Sequence, residues 1–347
     1  MAYTTINKHT DYVNTLLWQG NGNNARALTG VGFQPDFTWI KDRDDTESHC
    51  LTDAVRGATK SLRSNGNNAE ATDTDALQSF NSDGFTVGNQ GQVNKSNGDD
   101  FVGWSWKAGT TGSGTTTGSG TGKAYSYSVN TTAGFSIVKY VGNGTSGHQI
   151  PHHLGVSPDL TIIKKLNTSE DWIVQNSASG FDKRMLLNTS NVEASHTDFV
   201  SGVSSTTFSL YTNGSVNTND SDYVAYVFAA KTGYSKFGSY YGDGNSSTPS
   251  FAYTGFKPSI VIVKNKSESD GWFIHDNKRD GFNDDNEYLF PSLSNAEGSN
   301  VNRIRLLSNG FSVPTTDKSH NKDGNFYLYI AFGQSLVGSN NVPATAR

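Results

Sequence analysis

One phrase occurs three times in this chain, and its recurrence limits the fold more than any other feature. Gly32-Phe33-Gln34-Pro35-Asp36-Phe37-Thr38-Trp39-Ile40-Lys41 returns as Leu154-Gly155-Val156-Ser157-Pro158-Asp159-Leu160-Thr161-Ile162-Ile163-Lys164. It returns again as Thr254-Gly255-Phe256-Lys257-Pro258-Ser259-Ile260-Val261-Ile262-Val263-Lys264. In each copy Gly and Pro break the chain, and a run of β-branched and aromatic residues then ends on Lys. Proline fixes its own φ and pushes the residue before it towards extended geometry, so it suits a strand entrance better than a strand interior. The phrase predicts a turn feeding a buried strand, used three times.

Landmarks around the phrase recur at matching distances. A Gly-x-Gly turn precedes each copy (Gly20-Asn21-Gly22, Gly142-Asn143-Gly144, Gly242-Asp243-Gly244), with apolar residues running into it. Fourteen positions beyond each proline stand His49, Trp172 and Trp272. Phe85, Phe208 and Phe311 follow in short strand-like runs. Each unit closes on its most apolar segment: Phe101-Val102-Gly103-Trp104-Ser105-Trp106, Tyr223-Val224-Ala225-Tyr226-Val227-Phe228, and Tyr327-Leu328-Tyr329-Ile330-Ala331-Phe332. Alternation puts Val102, Trp104 and Trp106 on one face of that strand, with Gly103 and Ser105 opposite. The shared spacing predicts one topology for all three units, with Trp39 and Trp104 in the same core.

Units of about 100 residues with many short strands and no helical periodicity predict an all-β chain of three tandem β-sandwich domains. The boundaries read as 1–109, 125–232 and 233–338, with a Gly/Thr/Ser-rich linker at 110–124 and a tail at 339–347. The linker's composition predicts flexibility. It therefore predicts a stiff pair of later units with the first tethered, and first proteolysis between Gly109 and Lys123. The best helical stretch is Thr52 to Arg56, cut short by Gly57.

The composition narrows the function. An apolar fraction of 34%, supplemented by 37 glycines, allows a lean core. A net charge of −5 offers no basic stripe for nucleic acid, and Arg56, Lys60 and Arg63 lie beside the acidic run Asp42, Asp44, Asp45 and Glu47. A single cysteine, Cys50, excludes an intramolecular disulfide. No apolar leader stands at the N-terminus and no run approaches membrane-spanning length, which predicts a chain made in a reducing cytoplasm without membrane insertion.

Few residues suggest chemistry. His148, His152 and His153 are the nearest approach to a metal cluster, but no cysteine or carboxylate stands at a ligand spacing and the other units place no histidine there. Asp42/Asp44/Asp45, Asp220/Asp222 and Asp280/Asp284/Asp285 form oxygen-rich loops without the terminal Glu of a Ca²⁺ loop, and read as solvated hairpins. The apolar strands carry no carboxylate pair for glycoside hydrolysis. Gly112-Ser113-Gly114 lacks the strand–turn–helix setting of a nucleophile elbow. Cys50 aligns with Ile173 and Phe273 and reads as a buried hydrophobe, and Trp104 and Trp106 read as core. Tyr125, Tyr127, Tyr234 and Tyr241 remain as contact candidates. The reading is of a non-enzyme with no catalytic residues, metal or cofactor, whose receptor-binding residues are not legible.

The first unit also carries Asp53-Ala54-Val55-Arg56-Gly57-Ala58-Thr59-Lys60, Phe80-Asn81-Ser82-Asp83-Gly84-Phe85-Thr86-Val87-Gly88 and Val102-Gly103-Trp104-Ser105-Trp106-Lys107-Ala108-Gly109. The second carries Tyr140-Val141-Gly142-Asn143-Gly144 and Tyr223-Val224-Ala225-Tyr226, while the third departs most, with Ser259 in place of Asp36 and Asp159. In these strings the chain resembles a repeat family of marine bacteriophage virion proteins, comprising tail-fibre, tail and other structural proteins. The resemblance implies jelly-roll or concanavalin-like β domains, exposed on a virion assembled in the host cytoplasm. It implies a tail-fibre or appendage module that attaches to a host surface glycan or protein, where linked weak sites gain avidity. The alternative is a capsid-decorating or tail-sheathing protein without a receptor role. The implied partners are other virion proteins and further copies of the chain.

Overall fold

Strand pairing follows the repeat. The computed structural model describes residues 3–96, 98–279, 283, 286–299, 302–335 and 337, so Asp280, Asp284, Asp285 and the tail at 339–347 lie outside the described residues. The chain is nearly all β, with two single-turn α-helices among the described residues, Gly91–Asn94 and Gly214–Asn217. In each unit the closing strand (Asp100–Trp106, Asp222–Phe228, Phe326–Gln334) lies between an opening strand (Val13–Gln19, Phe135–Val141, Ser235–Tyr241) and the strand of the repeated phrase (Phe37–Asp42, Leu160–Lys165, Lys257–Asn265). A fourth strand, Cys50–Asp53, Ile173–Asn176 or Trp272–Asp276, pairs on the far side of the repeated phrase.

A smaller sheet in each unit holds a rim strand (Arg26–Thr29, His148–Pro151, Phe251–Tyr253) beside Gly84–Val87, Thr207–Leu210 or Gly310–Ser312. Trp39 is the pairing partner of Trp104, as the shared spacing requires. The glycines of the repeat have a local reason. Gly32, Gly155 and Gly255 have φ of 89°, 75° and 86°, a region closed to most side chains, and they turn the chain into the proline. In the third unit the strand begins one residue before the proline, and a bulge between Pro258 and Ile260 absorbs the missing N–H.

Each large sheet buries both faces. One face meets the unit's own small sheet. In unit one, Trp18, Ile40, Cys50 and Phe101 join Leu28, Phe85 and Val87 in one cluster. Gly103 is small because a Cβ there would come within 3.0 Å of the Trp18 ring and 3.4 Å of Phe85. Units two and three have matching clusters around Tyr140, Phe208 and Tyr223, and around Tyr240, Phe311 and Tyr327.

The other face belongs to all three units at once. Trp39, Trp104 and Trp106 pack in a single cluster with Phe135, Trp172, Tyr226 and Phe228 of unit two and Phe237, Trp272, Ile330 and Phe332 of unit three. Ring contacts close the circuit: Phe37 with Tyr226 at 4.4 Å, Trp106 with Phe332 at 5.7 Å, and Phe228 with Phe332 at 5.7 Å. Fully burying such side chains stabilises by about 1.5–3 kcal/mol each. The expectation of a tethered first unit is therefore overturned, because unit one contributes a full share of the common centre.

The linker reading fails for a related reason. Thr110–Thr115 is a strand paired with Ala124–Asn130, which itself extends the large sheet of unit two, and Thr117–Gly118 pairs with the rim strand His148–Pro151. Its glycines serve packing rather than flexibility. Gly112 and Gly114 lie opposite Tyr127 and Tyr125, whose rings cover them so closely that a Cβ would sit 2.7 Å and 2.9 Å from the phenol oxygens. The helical expectation at Thr52–Arg56 also fails: the strand runs to Asp53, whose carboxylate then accepts the N–H groups of Val55 and Arg56 to form a turn.

Candidate functional site

The polar residues that the sequence singles out are largely consumed in joining the units. The position fourteen beyond each proline does the same work three times. His49 Nε2 donates to the Phe290 carbonyl at 2.9 Å, Trp172 Nε1 to that of Arg63 at 2.9 Å, and Trp272 Nε1 to that of Leu186 at 2.8 Å. Unit one thus reaches unit three, unit two reaches unit one and unit three reaches unit two. His49 Nδ1 accepts from Trp39 Nε1 at 2.8 Å, which fixes the neutral tautomer. Burial, with Lys41 nearby, pushes its pKa down to about 3. Main-chain bonds repeat the circuit: the carbonyls of Arg43, Leu166 and Lys266 accept the N–H groups of Glu297, Glu70 and Glu193.

Charged groups reinforce all three junctions, one of them through Lys266 and Glu193 at 3.2 Å and the other two through guanidinium groups. Tyr226 donates to Asp53 at 2.8 Å, and Asp53 holds the buried Arg56, which also reaches Glu70. Trp104 Nε1 donates to Asp276 at 3.0 Å, and Asp276 holds Arg279. Burial opposes the charge on Asp276, but Arg279 and two backbone N–H groups hold its carboxyl below the usual range. Arg43 crosses from unit one to Glu287 at 2.8 Å and Glu297 at 2.7 Å in unit three. Of Arg56, Lys60 and Arg63, Arg56 is buried in its ion pairs and is not presented to solvent.

The lysines that end the repeated phrase are buried and cap carbonyls. Lys41 Nζ donates to Asp42 and Asp45, Lys164 to Lys165, and Lys264 to Asp270 and, across the junction, Ser190. Desolvation lowers all three amines to about 8. Around Lys41, the carboxylates of the first acidic loop are taken up locally: Asp42 accepts the N–H groups of Asp44 and Asp45, Lys95 bridges to Asp45, and Asp44 accepts from the Asp100 N–H. Asp220 pairs with Lys123 at 2.5 Å and Asp222 with Lys139 at 3.9 Å.

The three neighbouring histidines share no centre. His148 is buried between Asn217 and Thr116, His152 donates to the Ser204 carbonyl, and His153 stacks on Tyr127 at 3.7 Å. Among the described residues no group of three or more His, Cys, Asp or Glu is placed to hold a metal ion. Cys50 is buried, and desolvation pushes its thiol up to about 11.

What remains at the surface is aromatic and concentrated. All five exposed aromatic side chains among the described residues, Tyr3, Tyr241, Phe251, Tyr253 and Phe326, lie along one edge of unit three. Phe251 and Tyr253 alternate on the rim strand, Tyr241 contacts Phe326 at 5.2 Å, and the Tyr3 hydroxyl reaches the Gly255 carbonyl beside Tyr253. Between the opening and rim strands, Tyr241, Phe251 and Tyr253 border a groove that Gly238, Ser239 and Tyr329 also line. Lys236 crosses it, donating to the Tyr253 carbonyl at 2.7 Å with its amine 5.2 Å from the Tyr253 ring centre.

In unit two the same mouth is closed. The strand Ala124–Asn130 covers the opening strand, and Tyr125 and Tyr127 stack there with His153. Of the four tyrosines that the sequence offers, Tyr234 is buried, Tyr125 and Tyr127 are half-buried, and Tyr241 alone is exposed. Phe251, Tyr253 and Phe326 escaped notice because an exposed aromatic on a strand has the same letter as a buried one. The legible signal was the alternation Phe251-Ala252-Tyr253, with the small residue turned inward.

No curated protein is similar to this chain at a significant level. One family matches, described as a domain of unknown function, DUF7483, and it spans residues 8–335, which takes in all three units. The chain belongs to the DUF7483 family.

Proposed function

We propose that the protein is a non-enzymatic component of a bacteriophage particle, a tail-fibre or appendage module that attaches to the host surface. Each unit is read as a β-sandwich of the jelly-roll or concanavalin-like kind, a reading supported by the core clusters drawn from both sheets of each unit. The observation that carries attachment is the gathering of every described exposed aromatic on one edge, since a contiguous exposed apolar patch marks an interaction surface. The resemblance to virion proteins supplies the setting. A second reading, capsid decoration, is favoured by the cyclic arrangement of three alike units, each bonded to the next through the same position, which a threefold position on a shell would match. Antibody-gold labelling or reconstruction of intact particles separates them: density on the tail or its fibres supports attachment, and density spread over the head supports decoration.

A further inference from the structure

Building on the attachment reading, we propose that the groove of unit three binds an acidic polysaccharide, with sugar rings lying on Tyr253, Phe251 and Tyr241 and a sugar carboxylate paired with Lys236. A pyranose has apolar C–H faces and a polar rim. Such a ring matches aromatic faces bordering a polar floor, as tyrosine itself combines an apolar body with a polar tip. The groove supplies both: three exposed rings and the hydroxyls of Ser239 and Ser250. Its volume of about 490 Å³ falls in the range of roughly 300–1,000 Å³ typical of ligand sites.

The charge selects the acid. Among the described residues, Lys236 is the only charged one lining the groove, in a chain of net charge −5. One of its N–H groups serves the Tyr253 carbonyl, which leaves two for a ligand oxygen. Asp243, two residues past Tyr241 in the chain, does not line the groove, and its Oδ1 accepts from Asn245 and Asn321. The closed unit gives a precedent on the same scaffold. Where unit three is open, unit two accommodates three flat amphipathic rings, Tyr125, Tyr127 and His153, with centres 3.7 to 6.1 Å apart.

The test is calorimetric titration of the whole chain, at low salt, with oligogalacturonate and with a neutral malto-oligosaccharide of equal length. Oligogalacturonate is expected to bind about fivefold more tightly than the neutral sugar. Lys236→Gln should abolish that preference while keeping neutral binding, and Tyr253→Ala should weaken both sugars about fivefold or more. Both side chains are at the surface, and unchanged melting curves would confirm that the variants fold. Absence of binding by either sugar at millimolar concentration overturns the proposal, as does binding that neither substitution alters. A doubling of mass in sedimentation that Tyr253→Ala abolishes also overturns it, assigning the edge to a second copy. Tail labelling without sugar binding removes the groove assignment alone. Sugar binding lost in Tyr253→Ala, together with labelling of the head, keeps the groove and removes tail attachment.

Discussion

Two of the three junctions between units contain a buried carboxylate–guanidinium pair, and the third has Lys266 paired with Glu193 at 3.2 Å instead. Where unit one meets unit three, Trp104 bonds Asp276, which holds Arg279; where unit two meets unit one, Tyr226 bonds Asp53, which holds Arg56. The corresponding residues for the junction of unit three with unit two are Ile330, Asn176 and Ser179. Donor, carboxylate and guanidinium have been exchanged together. Physics requires this concerted change, because a carboxylate left in the interior without its cation carries a desolvation cost that nothing offsets. The comparison teaches that ring closure rests on the apolar centre and on the carbonyl-capping rings at 49, 172 and 272, while the kind of ion pair, guanidinium or ammonium, distinguishes one junction from another.

Breaking one member of a pair tests this most severely. Arg279→Met should cost about 3–5 kcal/mol in urea unfolding, because Asp276 then stays charged and buried. Asp276→Asn combined with Arg279→Met should recover a substantial part of that loss. A double variant as unstable as the single one would show that the charge itself is needed at this junction and that the uncharged set at the same positions of the third is not transferable.

Acid sharpens the contrast between His49 and the tryptophans that occupy its place elsewhere. Burial lowers His49 and His275 to about 3, and holds His320 well below its ordinary value. The unfolded chain binds these protons below about pH 6.5, before the folded chain does, so stability is present above that pH and declines towards pH 3. Each histidine contributes a slope of up to about 1.4 kcal/mol per pH unit. His49→Gln, which preserves a donor and an acceptor without titrating, should flatten the curve by one such share. An unchanged slope would mean that His49 is solvated and that its junction is looser than those of the tryptophans.

Trp172→Phe and Trp272→Phe each strand one carbonyl of the next unit and should cost about 1–3 kcal/mol. Equal costs support equivalent junctions, and a large disparity breaks the equivalence. The smallest effect is expected far from any junction. Lys322→Gln removes an exposed pair with Glu268 and should leave the urea midpoint unchanged.

The sequence made the units legible because the positions that repeat are those with no alternative: glycines at positive φ, prolines at strand entrances, and lysines whose amines cap loop carbonyls. It also aligned His49 with Trp172 and Trp272 without revealing their common role, since a ring N–H donor is not a letter in the alphabet. The common centre was hidden for a different reason. A strand apolar on both faces says that both are covered, but not whether the second cover is the unit's own or a neighbour's, and Trp104 and Trp106 read equally well either way. The segment at 110–124 misled because Gly, Ser and Thr describe a flexible tether and a strand beneath tyrosine rings in the same words. The aromatic edge was barely legible, because Tyr241, Phe251, Tyr253 and Phe326 are marked out by what fails to cover them.

Joining the three units covalently has a consequence for how such a ring behaves at low copy number. Three separate chains would obey mass action and come apart on dilution, whereas here closure is a unimolecular event whose equilibrium does not depend on concentration. Separate identical chains would also display three identical mouths. In one chain, the segment Thr110–Asn130 seals the mouth of unit two while unit three keeps its own open, so the units of one molecule are not interchangeable at this groove.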